Sequence, residues 1–202
     1  MGPILAQQSR KIQLRMSSTP PDILVVDNCH TNVILSIMVI FDASTLILLA
    51  RCGLLDCFIS RTKRQLIIPL AVRNETLQPG KEETPFIEKL LDQRTITTEQ
   101  VGDEAAIQKL MKDFAIDRGE TEAIFLAHCA GNAIVATDDR NAIRACRMLG
   151  LGYITALSIV ISLCEHGALS QSEAILKLEQ LQRIGRYSKR IMEDAVATLK
   201  GI

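Results

Sequence analysis

The sequence predicts an α/β fold, a central and mostly parallel sheet with helices on both faces, and three observations carry that prediction. Short runs at Val39–Phe41, Gln65–Ile68 and Ala133–Ala136 have the length and apolar character of strands buried on both sides. Each leads into a longer stretch whose apolar residues recur at helical spacing, the alternation that produces parallel strands joined by helices. Acidic residues stand where the first and last of these runs end, Asp42 and then Asp138-Asp139. That is the edge at which open α/β sheets place their ligands.

Taken in order, residues 1–21 show no sustained period and are expected to be disordered. The run from Ile23 to Phe41 is more apolar, but Asp27, Asn28, His30, Thr31 and Asn32 make it too polar for a membrane span. The start also lacks the basic-then-apolar order of a signal peptide. Residues 1–37 therefore read as an N-terminal appendage and residues 38–202 as one domain. The first strand ends at Asp42. Ser44 and Thr45 are expected to cap the next helix, in which Leu46, Leu49, Ala50 and Leu54 share a face. Arg61, Lys63 and Arg64 mark a basic turn before the second strand. Pro69 ends that strand and suits the first turn of the following helix, which carries Val72 and Glu75.

Gln78-Pro79-Gly80 breaks the chain, and Thr84-Pro85 opens a helix to about Leu91. Arg94–Thr98 reads as a third strand, and Gly102–Ala115 as a helix aligning Ala106, Leu110 and Phe114. The stretch from Gly119 to Arg140 is the one around which the chain is organised. Ala123, Ile124, Ala127 and Gly131 make one small-residue helix face, and Gly131-Asn132 stops the helix. After the strand Ala133–Ala136, a helix places Ala142, Cys146 and Leu149 inward and closes at Gly150. Gly152–Ile154 is a last short strand, followed by a helix from Ala156 to Glu165. Ser170 and Glu173 form a capping box for a helix with Ile175, Leu178 and Leu181. A final helix from Ser188 uses Ile191, Ala195 and Leu199.

Composition narrows the chemistry. Lys plus Arg and Asp plus Glu both total 23, so net charge is zero, which argues against bulk electrostatic capture of nucleic acid. Local basic patches remain: Arg140, Arg144 and Arg147 on one stripe beside the acids, and Arg183, Arg186, Lys189 and Arg190 near the last turn. The six cysteines include no CxxC pair, and the His residues at 30, 128 and 166 offer no zinc spacing. They read as reduced thiols in a cytoplasmic protein.

Four regions offer acids at one edge of the sheet: Asp42, Glu75, Glu120 with Glu122, and Asp138 with Asp139. Singly, each has a structural role available, as a cap, a partner of a helix dipole or a solvated side chain. Together they crowd like charges, which raises their pKa unless a cation compensates. All-oxygen ligands without His or Cys suit Mg²⁺ or Mn²⁺, and such ions assist phosphodiester hydrolysis.

The residues resemble those of the PIN-domain family, in its VapC-toxin-like branch with a GEAEAI-type helix. VIFDASTLILLARCGLLD is similar to the family's first strand and helix, IIPLAVRNE to its Pro–Val–Glu segment, GETEAIFLA to the GEAEAI helix, and TDDR to its last acidic motif. GYITALSIVISLCEHGAL and the final helix pair follow the same branch, with Thr155-Ala156 in place of the usual Gly-Thr. The resemblance implies a PIN-like three-layer sandwich and Mg²⁺- or Mn²⁺-dependent cleavage of RNA. It also implies metal-binding and catalytic acids at Asp42, Glu75, Glu120 and Asp139, with Glu122 and Asp138 as neighbouring ligands. Ser44 and Thr137 match supporting hydroxyl positions, and Arg140 and Arg144 are the nearest residues for RNA. It further implies a toxin held by an antitoxin protein. A homodimer stays open, and no membrane partner is expected.

Two enzyme rivals fail on residues. A haloacid-dehalogenase-type phosphatase needs a second Asp where Ser44 stands, and a phosphoacceptor receiver needs an acidic pair where Ile40-Phe41 precede Asp42. Gly150-Gly152 lacks the flanking order of a dinucleotide fingerprint. The alternative left open is a catalytically inactive PIN-like module that binds RNA or protein.

Overall fold

Five parallel strands form one sheet in the order β3-β2-β1-β4-β5, in a computed structural model that describes residues 38–202. The reading of residues 1–37 as an appendage lies outside those residues. The strands are β1 (Met38–Phe41), β2 (Leu66–Pro69), β3 (Ile96–Glu99), β4 (Ala133–Ala136) and β5 (Gly152–Ile154). Between β1 and β2 lie α1 (Ala43–Arg51) and α2 (Leu55–Arg61); α3 (Leu70–Thr76) and α4 (Thr84–Asp92) precede β3. Next come α5 (Glu104–Phe114) and α6 (Arg118–Ala130), with α7 (Arg140–Leu149) between β4 and β5. The chain closes with α8 (Ala156–Glu165), α9 (Gln171–Ile184) and α10 (Lys189–Lys200).

Side chains alternate across the sheet with the two-residue period of a strand. Val39, Phe41, Leu66, Ile68, Ile134 and Ala136 face a layer that includes α1, α4 and α8–α10. Ile40, Ile67, Ala133 and Val135 face the opposite way, against α6 and α7. The result is the expected three-layer sandwich, and the sheet is wholly rather than mostly parallel. Burial on both faces is why β1, β2 and β4 read as continuous apolar runs.

Several local expectations shift. Asp42, not Ser44 or Thr45, caps α1, and its carboxylate accepts the Thr45 N–H at 2.7 Å. Gly53, at φ 61°, turns the chain after α1 ends at Arg51, so that Leu54, expected on the face of the first helix, is the N-cap of a second one, α2. That helix brings Phe58 edge-on to Phe41, with ring centroids 6.1 Å apart. Pro69 belongs to the end of β2, opposite Glu99, and caps rather than enters α3. β3 starts at Ile96, since Arg94 takes a left-handed φ of 55° that no strand accommodates. In α10 the buried phase is Met192, Ala195 and Leu199, while Ile191 is exposed. Gly131 caps α6 with φ 74° but is exposed rather than on its core face.

Strand order reverses around β1, whose neighbours are β2 and β4. The crevice outside the carboxyl ends of β1 and β4 is therefore a topological switch point, the usual ligand position in such sheets. Asp42 ends β1 there, tied by its N–H to the carbonyl of Ala136 at 3.0 Å, and Thr137-Asp138-Asp139 leaves β4 beside it. Among the described residues no single helix is long and apolar enough to cross a membrane.

Candidate active site

Asp42 lies at the bottom of the crevice and is 1% exposed. Its carboxylate accepts the Thr45 N–H at 2.7 Å, and the Ser44 hydroxyl donates to both of its oxygens at 3.2 Å. Burial dominates these favourable bonds and pushes the carboxyl from 3.8 up to about 6, with the Thr137 side chain lowering it and Asp138 adding repulsion. The Cys146 thiol behind it is pushed up to about 12, chiefly by its own burial and then by the charge of Asp42.

Asp138 and Asp139 diverge as they leave β4. Asp139 caps α7, with one oxygen accepting from Asn141 N–H at 2.7 Å and Ala142 N–H at 2.8 Å, while its other oxygen makes no hydrogen bond among the described residues. Asp138 turns the other way. It accepts from the Thr45 hydroxyl at 2.9 Å, the Ala156 N–H at 3.0 Å and the Tyr187 hydroxyl at 2.8 Å. Those three donors make it a tie between elements. The Thr155-Ala156 departure is absorbed here: Thr155 caps α8 normally and Ala156 supplies the N–H.

The start of α6 separates its two glutamates. Asp117 and Glu120 form a reciprocal capping box, Glu120 N–H to Asp117 at 2.9 Å and Asp117 N–H to Glu120 at 3.0 Å. Glu120 is half-buried and its carboxyl rises from 4.5 to about 7, first by burial and then by repulsion from Asp117, Asp139 and Asp42. Glu122 is buried at 4% exposure and faces elsewhere. One of its oxygens accepts from Arg118 Nε at 2.8 Å and the other from the Ala71 N–H at 3.2 Å. Arg118 in turn makes two bonds to Glu104, at 3.0 and 2.7 Å. Glu122 thus joins α6 to the start of α3 instead of joining the acids, because two helical residues turn by about 200°.

Gly119 explains the close approach of α3: a Cβ there would meet Glu75 Oε2 and Val72 Cγ2 at 3.3 Å each. Glu75 is exposed on α3, and its carboxyl is raised by partial burial and then by Asp117. Acids therefore form a line from Glu75 through Asp117 to Glu120, which feels both Asp42 and Asp139. Asp117, Asp139 and Asp42 all repel Glu120, and Asp138 repels Asp42. Among the described residues, no three His, Cys, Asp or Glu side chains converge closely enough to hold one ion, and Glu120 is folded back on its helix cap. The donor set nevertheless suits a hard divalent cation: it is all oxygen, and burial, with repulsion from neighbouring carboxylates, raises the affinity of Asp42 and Glu120 for positive charge.

The supporting positions fall beside these acids. Ser44 bonds Asp42, and the Thr137 hydroxyl accepts the Asp139 N–H at 3.2 Å. Arg140 and Arg144 are exposed on α7; Arg144 reaches the Phe114 carbonyl at 3.4 Å, and Arg147 is held by the Tyr153 hydroxyl at 2.6 Å. The five cysteines among the described residues are free. Two participants are absent from the sequence reading. Asp117 was legible as an Asp-x-x-Glu capping box, whereas Tyr187 had no local signal.

No curated protein and no solved structure matches the chain. A family model does: the PIN domain matches residues 38–200, which include every strand of the sheet and all the acids of the crevice. On that match the chain belongs to the PIN-domain family.

Proposed function

We propose that this chain is a Mg²⁺- or Mn²⁺-dependent endoribonuclease of the VapC-toxin-like branch, with GETEAI as its form of the GEAEAI helix. The observation that carries the reading is the placement of Asp42, Glu120 and Asp139 about the switch point of a PIN-domain sheet, where burial and then repulsion from neighbouring carboxylates, Asp139 and Asp42 among them, raise Glu120. PIN domains are typically nucleases. Asp42, Glu120 and Asp139 would hold the cation, with Glu75 at the outer end of the acidic line. When bound, a divalent cation supplies charge neutralisation and a water of lowered pKa. Ser44 and Thr137 orient the carboxylates, and Arg140 and Arg144 stand where a phosphate backbone passes beside Asp139. A cytoplasmic toxin restrained by an antitoxin, and a homodimer, belong to the same reading.

One observation favours a second reading, an inactive PIN-like module that binds RNA or protein: Glu120 is turned onto its own cap. Cleavage of a labelled single-stranded RNA separates the two. The nuclease reading expects cleavage in Mn²⁺ or Mg²⁺, none in EDTA, and recovery when the ion is restored. RNA binding without cleavage in either ion would establish the module instead.

A further inference from the structure

Tyr187 sits between α9 and α10, 49 residues beyond Asp138, yet its hydroxyl donates to Asp138 Oδ1 at 2.8 Å. The same carboxylate holds the Thr45 hydroxyl at 2.9 Å and the Ala156 N–H at 3.0 Å. Thr45 also holds Asp42, through its N–H at 2.7 Å. A continuous set of bonds therefore runs from the C-terminal helix pair, through Asp138 and Thr45, to Asp42. Asp139 follows Asp138 directly in the chain.

A second feature is shaped around the same ring. A Cβ at Gly185 would stand 2.4 Å from Tyr187 Cε2. The same Cβ would stand 2.9 Å from the Leu181 carbonyl oxygen. The backbone of Gly185, at φ −87° and ψ 168°, suits any residue, so it is the ring and that carbonyl rather than the conformation that require glycine. The chain is thus cut back at 185 against both the phenol at 187 and the last turn of α9.

We infer that Tyr187 is a positioning residue, which through Asp138 and Thr45 sets Asp42 and Asp139 relative to one another and makes the crevice depend on docking of α9 and α10. This rests on the nuclease reading for its effect on turnover, but not for its effect on structure.

Two variants of the full chain test it from opposite sides. Tyr187→Phe removes the hydroxyl and keeps the ring, and Gly185→Ala, whose Cβ crowds both the ring and the Leu181 carbonyl, shifts the ring and keeps the hydroxyl. Both are expected to lower kcat on an RNA oligonucleotide by about tenfold, the worth of one hydrogen bond to a charged group, with KM changed less than about twofold. Without metal, both should also speed amide hydrogen exchange at Ala156 and Thr45 by about tenfold, leaving Val135 in β4 unaffected. Unchanged kcat and exchange in Tyr187→Phe would overturn the inference, and so would a uniform rise in exchange with a lowered Tm. If the parent does not cleave RNA, the nuclease reading fails. Exchange at Ala156 and Thr45 then decides the positioning role, faster in both variants upholding it and unchanged rates overturning it.

Discussion

Asp42→Asn is expected to lose RNA cleavage by roughly three orders of magnitude while making the metal-free protein more stable above neutral pH. Burial raises the Asp42 carboxyl from 3.8 to about 6, so the folded chain holds that proton more tightly than the unfolded chain does. The stability linked to it is fully present below about pH 4 and is lost as pH rises through about 6. Near pH 8 the buried charge costs up to about 3 kcal/mol, two pKa units at about 1.4 kcal/mol each. Asparagine caps a helix as well as aspartate does and can still accept the Thr45 N–H, but it carries no charge. Thermal melts in EDTA should show parent and variant nearly equal below about pH 4 and the variant up to roughly 6–12 °C higher near pH 8. A variant that melts lower near pH 8, or by an offset that ignores pH, would mean that the site does not strain the free protein.

The two glutamates of α6 are expected to separate activity from stability. Glu120→Gln should reduce turnover by about a hundredfold or more with Tm not lowered, and slightly raised above neutral pH, since glutamine still reaches the Asp117 N–H and the lost charge relieves repulsion. Glu122→Gln should do the reverse. It leaves Arg118 without its buried anionic partner and weakens the tie to Ala71, a loss of about 2 kcal/mol, or roughly 4–8 °C in Tm, with turnover reduced only a few-fold. Melting curves and steady-state cleavage of both variants check this. Greater loss of turnover in Glu122→Gln would place the wrong face of α6 in the crevice.

Strands and capped helices were legible because their signals are local. β1, β2 and β4 are buried on both faces, so no polar residue interrupts them, and Ser170 with Glu173 announces α9 within four residues. Where two local rules compete, the reading slips. Ser44, Thr45 and Asp42 can each cap a helix, and only the bond from Thr45 N–H to Asp42 selects among them. Ile191 and Met192 differ by one helical step, and the core accepts Met192. The site was legible as a set of acids at element ends. Which hydrogen bonds Asp138 and Glu122 make was not legible, because their partners are distant in sequence or on another helix. Asp138 is taken by Ala156 and Tyr187, and Glu122 by Ala71 from another helix. Glu120 and Glu122 were separable by helical phase alone, which already set them on different faces.

Calorimetric titration of Mn²⁺ into the full chain near pH 8, where Asp42 and Glu120 are ionised, measures the central claim without relying on any RNA. Saturable binding is expected in the parent and in Glu122→Gln, weakened at least about tenfold in Asp42→Asn, Glu120→Gln and Asp139→Asn. No binding in the parent, or equal binding in the parent and Asp42→Asn, would contradict the account.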